Sequence, residues 1–213
     1  MLHHPPSCMF GSASPALLAF PSERPIFLRE YSTGTFSALP YLVSKMLVEL
    51  PLLFAQVLLQ AVCTYFLVGF QGPFILIVLV WWLLSLASNS VAIAVGCTVS
   101  DVKTAAELTP LLFVPQLLFS GFFVSISQVP AFLRWAQWLC SLKYTLNLAL
   151  LVEFNGGVCG ASAAARDNCD SLFGRNDIDG NDVWLYLLVL IGLFLGLRVI
   201  GAWLLVARAR TVY

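Results

Sequence analysis

The sequence predicts an all-α polytopic membrane protein. It would have about four full transmembrane helices, one amphipathic helix, and further re-entrant or interfacial helices. Two properties of the composition predict this class. Of the 213 residues, 60% are hydrophobic and only 10% are charged, and the mean hydropathy is +0.89. Soluble domains carry roughly a quarter charged residues, so the chain is too apolar to be one.

The long apolar runs place four predicted spans at about 47–70, 74–99, 108–124 and 183–207. Each approaches or exceeds the length of about 20 residues that a helix needs to cross the hydrocarbon core. The run 108–124 is the shortest. It contains Pro110 and Pro115, which remove backbone donors, so this helix requires neighbours around it. We interpret Ser100–Glu107 before it as a short charged loop.

The first 34 residues allow two interpretations. Residues 1–22 contain four prolines and suit either an irregular tail or the remnant of a preceding membrane helix. Residues 23–34 alternate charged and apolar side chains, with Pro25 suited to a first helical turn and Gly34 to a helix end. This amphipathic pattern predicts a helix along the membrane surface or against a soluble partner.

Polar residues within the spans predict helix contacts. Lys45 and Glu49 are one turn apart and are expected to pair with each other. Polar and small side chains share one face of each of the first two spans, as expected where helices approach closely. These residues are Gln56, Gln60, Thr64, Ser85, Asn89, Ala92 and Gly96. Gly192 and Gly196 form a further packing step, and Arg198 is expected to snorkel to the nearer surface.

The remaining segments are more polar. Residues 128–154 mix charged residues with tryptophan and tyrosine, which predicts re-entrant or interfacial helices. Residues 155–182 read as an extracellular loop, and the positive charges favour a cytoplasmic N-terminus. That loop holds Cys159 and Cys169, which either form a disulfide in an oxidising space or stay free. No N-glycosylation sequon occurs in the loop.

Motifs for enzyme chemistry are missing. The sequence contains no phosphate-binding G-x-x-x-x-G-K-[ST], no H-E-x-x-H and no C-x-x-C, and its two histidines lie together at His3 and His4. Lysine and arginine total 11, as do the acids, so no basic block indicates nucleic acid. We therefore expect neither a metal site nor a catalytic site.

Three stretches carry a family resemblance. They are ERPIFLREYSTGTFSALPYLVSKMLVELP, YFLVGF and LLFVPQLLFSGFFVSISQVPAFLRWAQWLCSLKYTLNLALLVEFNG. In this order they resemble the membrane domain of ABC transporter subfamily G, the White and pleiotropic-drug-resistance exporters. The resemblance covers roughly residues 21–157, and residues 23–213 would then form the exporter membrane domain. The chain lacks the family's first membrane helix and its ATPase domain, so it looks truncated at its N-terminus.

The resemblance implies roles for particular residues. An elbow-like connecting helix would relay movement of the nucleotide-binding domains, through Glu23, Arg24, Phe27, Arg29 and Glu30. The wall of the substrate cavity at a dimer interface would include Phe113, Val114 and Leu117. Phe122 and Phe123 match the family's hydrophobic plug, and the segment from Gln128 to Asp182 would form an outer lid.

The resemblance also implies the function and the partners. The chain would be the membrane part of an ATP-driven exporter of lipids, sterols or other hydrophobic or amphipathic compounds. It would work in the bilayer as a homodimer or heterodimer of half transporters, in the plasma membrane or an internal membrane of a eukaryote. ATP and Mg would be used by the missing nucleotide-binding domain, so the chain itself would be no enzyme. The alternative is a truncated, non-transporting subunit that associates with full-length transporters.

Overall fold

A computed structural model describes residues 4–32, 38–69, 72–99, 101–120, 139–154 and 183–212. These residues form helices joined by short turns, and no strand occurs among them. The helices in chain order are α1 (His4–Ser32), α2 (Ala38–Val68), α3 (Phe74–Gly96), α4 (Val102–Phe119), α5 (Ser141–Phe154) and α6 (Val183–Val212). The predicted all-α polytopic class is confirmed.

Three described helices are long and apolar enough to cross a membrane. These spans are Val43–Val68, Phe74–Gly96 and Val183–Ala207, with 26, 23 and 25 residues. They correspond to the predicted spans 47–70, 74–99 and 183–207. At 1.5 Å per residue, each exceeds the roughly 30 Å thickness of the hydrocarbon core.

The loop predicted before the fourth span differs from the structure. Helix α4 begins at Val102, so most of the expected loop 100–107 is helical. The segment contains Lys103, two alanines and Glu107, which are good helix formers, and Ala105 N–H donates to Asp101 O at 3.0 Å. Helix α4 is not among the three candidate spans found in the described residues. The remainder of 108–124 lies outside those residues.

Helix α1 joins two segments that the sequence treated separately. One continuous helix is formed by residues 4–22, for which the sequence allowed a tail or a helix remnant, and residues 23–32. Tertiary packing explains this: Met9, Ala13 and Leu17, four residues apart, are fully buried and belong to the main core. Their burial against α3 outweighs the weak local preference for helix. Gly34 lies outside the described residues.

Helix α3 is the centre of the bundle. It carries no charge and is buried along most of its length, including the predicted small and polar face Ser85, Asn89, Ala92 and Gly96. Helices α1 and α6 pack most extensively against it, and α2 and α5 complete the surroundings. By contrast α2 and α6 leave large apolar side chains exposed, among them Leu59, Phe66, Leu188 and Trp203. Such exposed apolar surface is suited to lipid.

The glycines of α6 differ in their surroundings. The predicted packing pair, Gly192 and Gly196, faces open space: an added Cβ at either position would meet nothing within 4 Å. The close approach occurs instead at Gly201, whose added Cβ would lie 3.6 Å from Ala94 Cα on α3. Cys97 Sγ also donates to Gly201 O at 3.6 Å.

Replacing Gly201 by leucine is therefore expected to force α6 away from α3. Overpacking of this kind costs about 1–3 kcal/mol, so Gly201→Leu should lower the melting temperature in detergent micelles. The matched control is Gly192→Leu, which adds the same side chain to open space and should melt within error of the parent. Equal melting temperatures for both variants would contradict this packing.

Candidate functional site

A buried cluster of polar and charged side chains joins three helices. Glu49 on α2 accepts hydrogen bonds on the same oxygen, Oε2, from Asn89 Nδ2 on α3 at 2.9 Å and from Arg198 Nη2 on α6 at 2.5 Å. Arg198 Nε also donates to Ser90 Oγ at 3.1 Å. We call Glu49, Asn89, Ser90 and Arg198 the ionic cluster.

The cluster corrects two predictions. Lys45 and Glu49 do not pair with each other, because each finds an opposite charge on a neighbouring helix instead. Arg198 does not snorkel to the surface, since only 9% of its side chain is exposed and its guanidinium lies over the Phe194 ring at 5.7 Å. Isolated charge in hydrocarbon is costly, so a helix bundle that contains both partners favours their contact over solvation of either.

Burial affects the energetics of the ionic cluster in two ways. The attraction between the two charges of a buried pair is offset by a large desolvation cost, and loss of one partner leaves an uncompensated charge. The formal charges of Glu49 and Arg198 cancel. One guanidinium nitrogen, Arg198 Nη1, is buried and has no hydrogen-bond partner among the described residues. The cluster thus connects α2, α3 and α6.

A second ionic contact ties α1 to α2 near the start of the first span. Lys45 Nζ donates to Glu23 Oε2, and Tyr41 Oη donates to the same oxygen at 3.4 Å. Burial raises the pKa of the Tyr41 phenol, and the adjacent Glu23 carboxylate raises it further. Tyr41 therefore stays protonated and keeps donating at any physiological pH.

Of the residues predicted for coupling, Glu23 thus contacts the membrane helices directly. Arg29 is exposed on the same helix. For Arg24, Phe27 and Glu30 the structure describes only the helical backbone of α1. Their coupling role stays a prediction.

The residues predicted for the cavity wall lie on different sides of α4. Phe113 is fully buried and packs edge-to-face on Phe10 of α1, with ring centroids 5.3 Å apart. Val114 is 45% exposed, and Leu117 is partly buried against the core. Sequence reasoning did not single out Phe10, because residues 1–22 were left open as either a tail or a helix remnant. The plug residues Phe122 and Phe123 lie outside the described residues.

One apolar face of α4 is left uncovered by this chain. Leu111, Val114 and Leu118, spaced three and four apart, are 67%, 45% and 44% exposed. This spacing places them on one side of the helix. The opposite side carries the buried Phe113. Helix α4 is therefore half inside the bundle and half available to lipid or to another subunit.

The cysteines give no sign of a metal or redox site in the described residues. Cys8, Cys63, Cys97 and Cys140 are free thiols, and no metal-binding group occurs in the part of the chain that is described. Cys159 and Cys169, predicted to form a disulfide or stay free, lie outside that part.

Helical bundles with such apolar faces and a buried ionic cluster are membrane proteins, and comparison with known proteins defines the class. A match to the ABC-2 type transporter family covers residues 7–154, more than half of the chain. The chain belongs to this family, and it corresponds to the membrane domain of ABC transporters of the G subfamily.

Several G-family transporters are similar to it. ABC transporter G family member 8 of Arabidopsis thaliana is 31% identical over 150 residues, which is 69% of this chain and 26% of that protein. Member 1 of Dictyostelium discoideum is 24% identical over 96% of the chain and 28% of its own length. Member 4 of A. thaliana is 26% identical over 94% of the chain and 37% of its own length. The chain thus spans between 26% and 37% of the length of these three curated relatives.

The position of Phe113 leads to a stability prediction. Replacing it by alanine removes a fully buried aromatic side chain and its contact with Phe10, so the free energy of unfolding should fall by about 3–5 kcal/mol. Phe66→Ala is the matched control, because Phe66 is 79% exposed on α2. Denaturant titration in micelles measures both. A Phe113→Ala loss no larger than that of Phe66→Ala would place Phe113 at a surface.

Proposed function

We propose that this chain is the membrane-spanning part of an ATP-driven exporter of lipids, sterols or other hydrophobic and amphipathic compounds. It works as a dimer of half transporters, coupled to nucleotide-binding domains that use ATP and Mg. The observation that carries the proposal is the uncovered α4 face of Leu111, Val114 and Leu118, in a chain that belongs to the ABC-2 type transporter family.

The α4 face suits a pathway between two subunits. Leucine and valine side chains on facing α4 helices would enclose an apolar space, and ligand sites are lined mainly by such residues. Phe122 and Phe123 follow α4 after a few residues and would close this space as the plug. Apolar cargo would enter with no need for charged partners along the wall.

Closure of the space requires the helices to move together. The contacts of Lys45 and Tyr41 with Glu23 join α1 to α2, so a displacement of the C-terminal part of α1 would be transmitted to the first span. The ionic cluster joins α2 to α3 and α6. A nucleotide-driven movement of the soluble domains, acting through the segment Glu23 to Glu30, would thus shift one connected body relative to its twin. Helix α4 belongs to this body because it packs on α1.

The exposed apolar side chains of the spans fit a multi-pass membrane protein. We place it in the plasma membrane or an internal membrane of a eukaryote. Homodimers and heterodimers are both compatible with an α4–α4 interface. The chain itself would perform no chemistry on its cargo, since its role is to form and gate the path.

A bulky residue in the path tests the proposal. Val114→Trp should reduce ATP-dependent efflux of a fluorescent lipid several-fold in cells that express the transporter containing this chain, because the larger ring fills the space between subunits. The matched control is Val199→Trp, since Val199 is 68% exposed on α6, away from α4. That variant should transport normally.

Three results would contradict the proposal. Efflux could be insensitive to ATP depletion, or both tryptophan variants could transport equally well. The chain could also pair with full-length transporters and lower their efflux without transporting by itself, which would identify a non-transporting subunit.

A further inference from the structure

A cleft with a volume of about 540 Å³ lies between α1, α2 and α3, apart from the α4 face. Its size falls in the range of small-molecule sites, roughly 300–1,000 Å³. Along α1 it runs from Ser12 to Glu23, and along α2 from Tyr41 to Gln56. At 1.5 Å per residue these stretches are about 16 Å and 22 Å long. The cleft is therefore elongated along the helices and suits a molecule of similar shape.

The cleft exists because α1 presents small side chains to it. Pro15, Ala16 and Ala19 line the α1 wall, while α1 packs mainly on α3 and only weakly on α2. On the opposite wall Val48 and Leu52 line the cleft and are 66% and 63% exposed. Since both belong to the first span, the cleft is accessible sideways from the bilayer.

Charged groups are concentrated at one end of the cleft, whereas the other end carries the uncharged side chains of Ser12 and Gln56. Glu23, Tyr41, Ser44 and Lys45 line the end at the start of the span, and Glu49 follows one turn deeper. Beyond Glu49 the α2 wall continues with Leu52 and Leu53 until Gln56. A polar end near the membrane surface with an apolar continuation into the bilayer matches the way an amphipathic lipid lies in a leaflet.

The charges around the polar end select the kind of head group. Glu23 is paired with Lys45, and Glu49 with Arg198, so the charges cancel within the protein. An anionic head would face the carboxylates of Glu23 and Glu49, and a cationic head would face the ammonium of Lys45. Arg198 does not line the cleft and pairs with Glu49 from outside it. A neutral head adds no charge to these pairs. Both hydrogen bonds to Glu49 end on Oε2, which leaves Oε1 for a donor such as a hydroxyl.

We propose that this cleft binds one molecule of a neutral, hydroxyl-bearing membrane lipid. Its hydroxyl donates to the Glu49 carboxylate, and its apolar body lies between the small residues of α1 and Leu52 and Leu53 of α2. This site differs from the transport path at α4, and its occupation does not depend on transport.

Photolabelling with a matched pair of probes tests the proposal. The full chain is placed in nanodiscs with a photoreactive, clickable long-chain alcohol or with the fatty acid of the same length and label. Labelled peptides are then identified by mass spectrometry. The alcohol should label the stretches 12–23 and 41–56 several-fold more than the acid does, because only its head is neutral at pH 7.5.

Two leucine variants locate the labelling. Ala19 is exposed and lines the cleft, so Ala19→Leu should fill it and reduce labelling by the alcohol several-fold. Ala55 is also exposed but does not line the cleft, so Ala55→Leu should leave labelling unchanged. Melting temperatures of both variants verify that they are folded.

The proposal is overturned by any of three outcomes. The parent chain could show no labelling in these stretches, as it would if another helix occupied the cleft. The acid could label as strongly as the alcohol, or Ala19→Leu could label like Ala55→Leu. The first two outcomes are measured on the parent chain and hold even if a variant fails to fold.

Discussion

The contact between Glu49 and Arg198 is the constraint on which the arrangement of the bundle depends. Two residues 149 positions apart meet inside the apolar part of the molecule, and Asn89 and Ser90 bind the same pair from the central helix. Hydrophobic packing is a weak guide between helices in lipid, because lipid is as apolar as the side chains. A charged pair has few alternative partners there, so it fixes which helices are neighbours and at what register.

The rest of the structure is arranged around that junction. The central helix α3 is buried on nearly all sides and can remain uncharged, because the cluster supplies its polar contacts from α2 and α6. Helix α1 packs on the same core and is linked to α2 a turn away through Glu23 and Lys45. Helix α4 has one face packed through Phe113 and one face uncovered. In the proposed function, this uncovered face would line a path between two subunits.

Sequence reasoning predicted the parts that depend on composition. The three spans follow from the length of uninterrupted apolar sequence. The family resemblance follows from three sequence stretches that occur in the same order as in the family. The continuity of helix α1 was not predicted, because the sequence left a tail or a helix remnant open for residues 1–22 and placed a separate helix at 23–34. Burial of Met9, Ala13 and Leu17 against α3 explains why the five prolines of α1 do not interrupt it. The loop before α4 was likewise assigned from its charges, although its alanines favour a helix.

The ionic cluster was missed although the sequence contained a signal for it. Within the three spans the charged residues are Lys45, Glu49 and Arg198. The spacing of Lys45 and Glu49 along one helix predicts that they pair with each other, and this leaves Arg198 to the surface. In the structure Lys45 and Glu49 both pair across helices instead. The exposed α4 face, by contrast, cannot be read from sequence at all, since its apolar residues alternate between core and surface without a change in residue type.

A double-mutant cycle at Glu49 and Arg198 tests the central claim most directly. The free energy of unfolding is measured in micelles for Glu49→Gln, Arg198→Met and the double variant. Each single variant should lose about 3–5 kcal/mol, because it leaves a buried group unpaired, whereas the double variant should lose clearly less than the sum. Losses that add, to within about 0.5 kcal/mol, would mean that the two residues do not interact and that something else fixes the bundle.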